Sequence, residues 1–116
     1  MIESKRFFSC EELDGEVILV RLFGEIDHHS AAGVRSELDE LIFEKRPKKM
    51  ILDLSEIGFM DSSGLGLIMG RYSLIKDFGG LLVLRDPNQS TMKILKLAGM
   101  EKIIKIEKGE NKDENR

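Results

Sequence analysis

Met50-Ile51-Leu52-Asp53-Leu54, then Phe59-Met60, then Asp61-Ser62-Ser63-Gly64-Leu65-Gly66, is the stretch whose reading decides the fold of this chain. The first five residues form the apolar run of a buried strand, and from Leu65 onward the apolar positions recur at helical spacing. A short connection through Phe59 and Met60 carries the chain between them, so two hydroxyls arrive at a helix N-terminus. The first N–H groups of a helix lack internal partners and carry about half a positive charge, so a phosphate set there meets backbone donors. Ser62 or Ser63 is therefore a chemically sensible phosphorylation site. Capping alone needs only one such residue, and Asp61 can supply it. Three consecutive cap formers are followed by Gly64 and Gly66, each costing about 1 kcal/mol relative to alanine inside a helix. That run describes a turn kept small for another reason.

Working outward toward the N-terminus, residues 16–23 are apolar on both faces, as a central, doubly covered strand requires. Leu13-Asp14-Gly15 turns into it from a strand over residues 6–12. Beyond Gly24, the run Glu25-Ile26-Asp27-His28-His29-Ser30 leads to Val34, Leu38, Leu41 and Ile42, the stripe of an amphipathic helix that Pro47 closes. Toward the C-terminus, the helix after the serines carries one stripe at Leu65, Ile68, Met69, Tyr72 and Ile75. A second stripe lies at Leu67, Leu74 and Phe78 and faces either a partner or a neighbouring helix. Gly79 and Gly80 end this helix, and residues 81–84 form another buried strand. Asn88, Ser90 and Thr91 are cap candidates for a helix through Met92, Leu95 and Ala98, which Gly99 ends. Ile103, Ile104 and Ile106 supply a last strand.

Strands alternating with helices after an initial hairpin predict an α/β fold. The expectation is a single domain over residues 1–108, with a mixed, mostly parallel sheet of four to five strands and helices packed against it. Residues 109–116 hold no apolar side chain and are expected to form a disordered polar tail. Right-handed crossovers bring Asp27 and His28 toward the serine turn.

Composition narrows the function. The chain has 116 residues, 41% hydrophobic and 34% charged, with a net charge of −3, which gives no electrostatic reason to expect nucleic acid. Lys45, Arg46, Lys48 and Lys49 form a basic cluster that reads as a solvated turn. No apolar run is long enough to span a bilayer and no leader pattern opens the chain, so the expected location is cytoplasmic, without membrane. Cys10 is the single cysteine and has no partner for a disulfide or a metal site. His28 and His29 lack the clustered ligands a metal needs. A Ser-His-Asp hydrolase from Ser62, His28 and Asp27 is disfavoured, because adjacent Asp27 and His28 cannot readily place the carboxylate behind the imidazole. No Walker-type or Rossmann-type glycine pattern is present. No cofactor is expected.

Phosphorylation would add about −1.5 to −2 charges beside Asp61, of which a helix N-terminus offsets only about 0.3 to 2 kcal/mol. A folded monomer tolerates that. At a protein interface the dianion must be desolvated, and about 3 kcal/mol changes affinity roughly a hundredfold.

Gly24-Glu25-Ile26-Asp27-His28-His29, Phe59 through Gly66, and Gly70-Arg71-Tyr72 together resemble the sporulation anti-sigma factor antagonists of endospore-forming bacteria, in the STAS-domain superfamily. Gly79-Gly80 and Leu97-Ala98-Gly99-Met100 before Lys102-Ile103-Ile104 extend the likeness over most of the chain. The resemblance implies a non-enzymatic switch. Its unphosphorylated form binds an anti-sigma factor that is itself a serine kinase, releasing the sporulation sigma factor. That kinase uses ATP to phosphorylate the position matching Ser62, and a PP2C-type phosphatase removes the phosphate. Residue by residue, the implied partner-binding surface comprises Asp27, His28, Asp61, Ser62, Ser63, Gly64, Leu67 and Arg71. An antagonist of a stress-response or other partner-switching pathway is the alternative within the superfamily, and weak nucleotide binding is a further possibility it raises. Members usually finish with another amphipathic helix, where this chain has the polar stretch from Gly109 to Arg116.

Overall fold

Six strands and three helices make up residues 2–109, which the computed structural model describes. In chain order they are β1 (Ile2–Ser4), β2 (Phe8–Leu13), β3 (Val17–Ile26), α1 (Ala31–Lys45), β4 (Lys49–Met60), α2 (Ser62–Asp77), β5 (Leu81–Arg85), α3 (Gln89–Leu97) and β6 (Lys105–Glu107), with a short 3-10 turn at Met100–Lys102 before β6. The strands lie side by side in sequence order in one sheet. β1, β2 and β3 pair antiparallel, while β3 through β6 run parallel. The sheet is thus mixed and mostly parallel, with β1 as the strand beyond the expected four to five.

Period-two alternation sorts the strand residues onto two faces. Ile18, Val20 and Leu22 of β3, Met50, Leu52 and Leu54 of β4, and Leu82 and Leu84 of β5 join one continuous core with Leu38 and Ile42 of α1, Ile68 and Ile75 of α2, and Leu95 of α3. The helices therefore cover that face. On the other face, Leu19, Ile51 and Val83 form an apolar row across β3, β4 and β5, and next to it runs a row of alternating charge. Arg21 stands opposite Asp53, Asp53 opposite Arg85, and Arg85 opposite Glu107. Arg21 Nε donates to Asp53 Oδ2 at 3.3 Å, and Arg85 Nη2 donates to Glu107 Oε2 at 2.9 Å. Asp53, only 4% exposed, is held by this pairing and by the Ser55 N–H at 2.8 Å.

Several boundaries differ from the sequence reading; of the three isoleucines expected in the last strand only Ile106 is in β6, Ile103 and Ile104 lying in the turn after the 3-10 helix. β4 does not stop at Leu54 but continues to Met60, and β3 continues through Glu25 to Ile26. Ser55, Glu56 and Gly58 interrupt the apolar pattern because they are exposed there, yet the backbone ladder to β3 persists through Glu25↔Phe59 and Ile26↔Met60. Register shifts at Arg21/Phe23 and Gly24/Glu25 absorb the irregularity, with Gly24 at φ +89°; glycine adopts that conformation without a Cβ penalty. The basic cluster after α1 is a solvated turn whose lysines pair locally, Lys45 with Glu12 at 3.6 Å and Lys48 with Glu16 at 3.4 Å. Of the expected polar tail, Gly109 donates its N–H to Asp86 Oδ1 at 2.9 Å; residues 110–116 lie outside the described residues.

Candidate functional site

The long β3 and β4 deliver two helix starts to one end of the sheet. Their last register pair is Ile26↔Met60, and the Asp61 N–H donates to the Ile26 carbonyl at 3.1 Å. Asp27 and Asp61 are therefore neighbours across the ladder. Each organises the turn that follows it. Asp61, in extended conformation, caps α2 by accepting the Ser63 N–H on Oδ1 at 2.8 Å, and its carbonyl accepts the Gly64 N–H at 3.0 Å. Asp27 Oδ1 accepts the N–H groups of His29 and Ser30 at 2.9 and 3.0 Å, which folds the loop into α1 although Ser30 itself makes no side-chain cap. The Ser30 N–H above all, with that of His29, holds the Asp27 carboxyl below the ordinary carboxylate range.

Ser62 is the first residue of α2 and is exposed, while Ser63 is half-buried. Because the Asp61 carboxylate already occupies the helix cap, a phosphate on Ser62 would share the helix N-terminus with a like charge and project outward. His28 and His29 are exposed and stack with ring centroids 4.0 Å apart. Among the described residues no hydrogen bond joins either ring to a serine hydroxyl, and no group of three His, Cys, Asp or Glu residues could hold a metal. Among the described residues no helix is long and apolar enough to cross a membrane.

The other expected surface residues are placed differently. Gly64 is buried, and a Cβ there would run into the Met60 side chain, so glycine lets the first turn of α2 settle on the end of β4. Leu67 is 4% exposed and belongs to the core. Phe78, in the same stripe, meets the Phe43 ring of α1 edge-on at 5.5 Å. The second stripe of α2 is thus covered largely by α1 rather than left for a partner. Arg71 is also buried, and its Nε lies 2.9 Å from Asp39 Oδ1 on α1. The two are close but poorly aligned, so Nε, Nη1 and Oδ1 all lack a directed hydrogen bond. Burial lowers the Arg71 pKa, with Asp39 opposing the shift and Arg35 adding to it.

Sequence reasoning missed two features. Phe59, two residues before Asp61, presents an aromatic ring at 49% exposure; large exposed rings are typical contact anchors. The second is a groove of about 370 Å³ between α1 and α2, lined by Ala31, Ala32, Arg35, Ser63, Gly66, Leu67, Gly70 and Arg71.

A family model described as the STAS domain matches residues 11–112. The chain belongs to the STAS domain family. This STAS domain is 43% identical over 90 residues to the anti-sigma F factor antagonist of Paenibacillus polymyxa, spanning 78% of this chain and 77% of that protein. It is 32% identical over 89 residues to the anti-sigma-B factor antagonist of Bacillus subtilis, spanning 77% and 80%. Among solved structures, it superposes on the anti-sigma factor antagonist SpoIIAA in its unphosphorylated form with a TM-score of 0.74 at 29% identity, covering 93% of this chain and 91% of that one. The Bacillus cell fate determinant SpoIIAA in the phosphorylated form matches with a TM-score of 0.67, again at 29% identity, covering 93% and 95%.

Proposed function

We propose that this STAS domain is a non-enzymatic anti-sigma factor antagonist, switched off by phosphorylation of Ser62. The observation that carries the reading is an exposed serine at the first position of α2, beside a carboxylate that already caps the helix. A new dianion there gains little from its own helix and faces whatever docks on the turn. The partner is an anti-sigma factor with serine kinase activity, which binds the unmodified form, phosphorylates Ser62 from ATP and thereby releases it. A PP2C-type phosphatase resets the switch. Asp27, His28, Asp61, Ser62 and Ser63 form the contact surface, with Gly64 and Leu67 supporting it from within and Arg71 beside it. Identity to the sigma F antagonist, at 43% against 32% for the sigma B relative, favours the sporulation pathway over a stress-response one.

Incubation with the cognate kinase and ATP, followed by mass spectrometry, tests the site. The expected product carries one phosphate on Ser62. Modification confined to another residue overturns the assignment. Ser62→Ala is expected to keep kinase binding and Ser62→Asp to weaken it roughly a hundredfold, about 3 kcal/mol; equal binding by both removes the gating argument.

A further inference from the structure

Gly66 and Gly70 sit inside α2 with ordinary helical backbone, and a Cβ at either would meet nothing within 4 Å. Packing within the chain therefore does not require glycine at these positions, in contrast to Gly64, where Met60 fills the space. Both line the α1–α2 groove, and the facing bank of α1 is equally low, with Ala31 and Ala32. The groove opens beside Ser63, one residue from the exposed Ser62.

Its walls are basic. Arg35 and Arg71 both line it, and Asp39, the carboxylate paired with Arg71, is outside the lining. The Arg71 side chain is only 9% exposed, and its Nη1 is buried without an acceptor. A guanidinium presents five N–H donors in a planar fork suited to a bidentate carboxylate. Here the fork is taken out of water with its hydrogen bonds incomplete, in a cleft where Gly66, Gly70, Ala31 and Ala32 keep the banks low.

We infer that this groove receives a carboxylate side chain from the anti-sigma factor, which Arg35 and Arg71 hold while Gly66 and Gly70 let the partner's backbone lie close against α2. The inference rests on the proposed function and assigns the antagonist a second contact alongside the serine turn. Phosphate on Ser62 then repels an acidic partner segment already drawn to the groove.

Calorimetric titration of the cognate anti-sigma factor into wild type, Gly70→Leu and Arg35→Glu tests it. Gly70→Leu fills the groove while replacing a poor helix former, so its Tm is expected to equal or exceed that of wild type and its affinity to fall about tenfold or more. Arg35→Glu, on an exposed residue, is expected to lose about tenfold with its Tm preserved. Wild-type affinity in both variants overturns the inference and leaves the antagonist reading standing, provided wild type binds. If wild type itself does not bind, both fall. Titration with ATP and GTP alone supplies the remaining arm: binding by wild type that Arg35→Glu abolishes assigns the groove to a nucleotide and overturns the carboxylate.

Discussion

Asp27 and Asp61 do similar work at two adjacent helix starts, the first accepting the His29 and Ser30 N–H groups of the turn that follows it and the second the Ser63 N–H. Asp61→Ala removes the cap of α2 and is expected to cost about 1 kcal/mol, read as a lowered urea midpoint with an unchanged m-value. For Asp27 the sign follows from its depressed pKa. Its contribution is in place above the ordinary carboxylate value of about 4 and is lost as pH falls through the lowered folded value. The His29 and Ser30 amide resonances are expected to titrate together below about pH 4, and Asp27→Asn should abolish that titration. Phe59 is nearly half exposed beside the turn. Phe59→Ala is expected to leave thermal stability close to wild type and to weaken anti-sigma factor binding by about 1 to 2 kcal/mol in a titration; unchanged affinity would show that the ring is a bystander.

The elements differ in what made them readable. All three helices announce themselves through spacing, and the residues of the first one, Val34, Leu38, Leu41 and Ile42, are those the structure buries. Leu38 has no exposure, so Leu38→Ala is expected to cost about 2 to 5 kcal/mol, measured by chemical denaturation. Asn88, whose Oδ1 accepts the Thr91 N–H at 2.8 Å, likewise caps a helix where the polar run indicated one. β1 was illegible because Ile2, Glu3 and Ser4 are exposed and carry no alternation that burial would impose. The far half of β4 was missed because Ser55, Glu56 and Gly58 face solvent, while the hydrogen bonds that make it a strand are backbone bonds that side-chain pattern does not encode. At the site, the serine turn was legible from capping chemistry and the approach of Asp27 to it from crossover handedness. The burial of Arg71 was not. Its place beneath α1 depends on how closely two helices approach, which one helix's periodicity cannot state.

Taken as a whole, the molecule separates its proposed switch residue from its core. Ser62 is exposed, whereas Ile26, Met60 and Ile68 beneath that end of the sheet are at most 5% exposed. Ser62→Asp is accordingly expected to shift folding stability by no more than about 0.5 kcal/mol while changing association strongly, a contrast that differential scanning calorimetry beside the binding assay would display. The sheet face away from the helices adds a property of another kind. Arg21, Asp53, Arg85 and Glu107 alternate in sign over four strands, and parallel strands built mostly of interchangeable Ile, Leu and Val have little else to distinguish one alignment from the next. Sliding β3 by two positions would take Arg21 from Asp53, setting the carboxylate against Leu19 or Phe23, and strand a desolvated anion. The row of charges thus proofreads strand alignment during folding, rejecting mispaired arrangements that the greasy side alone would accept.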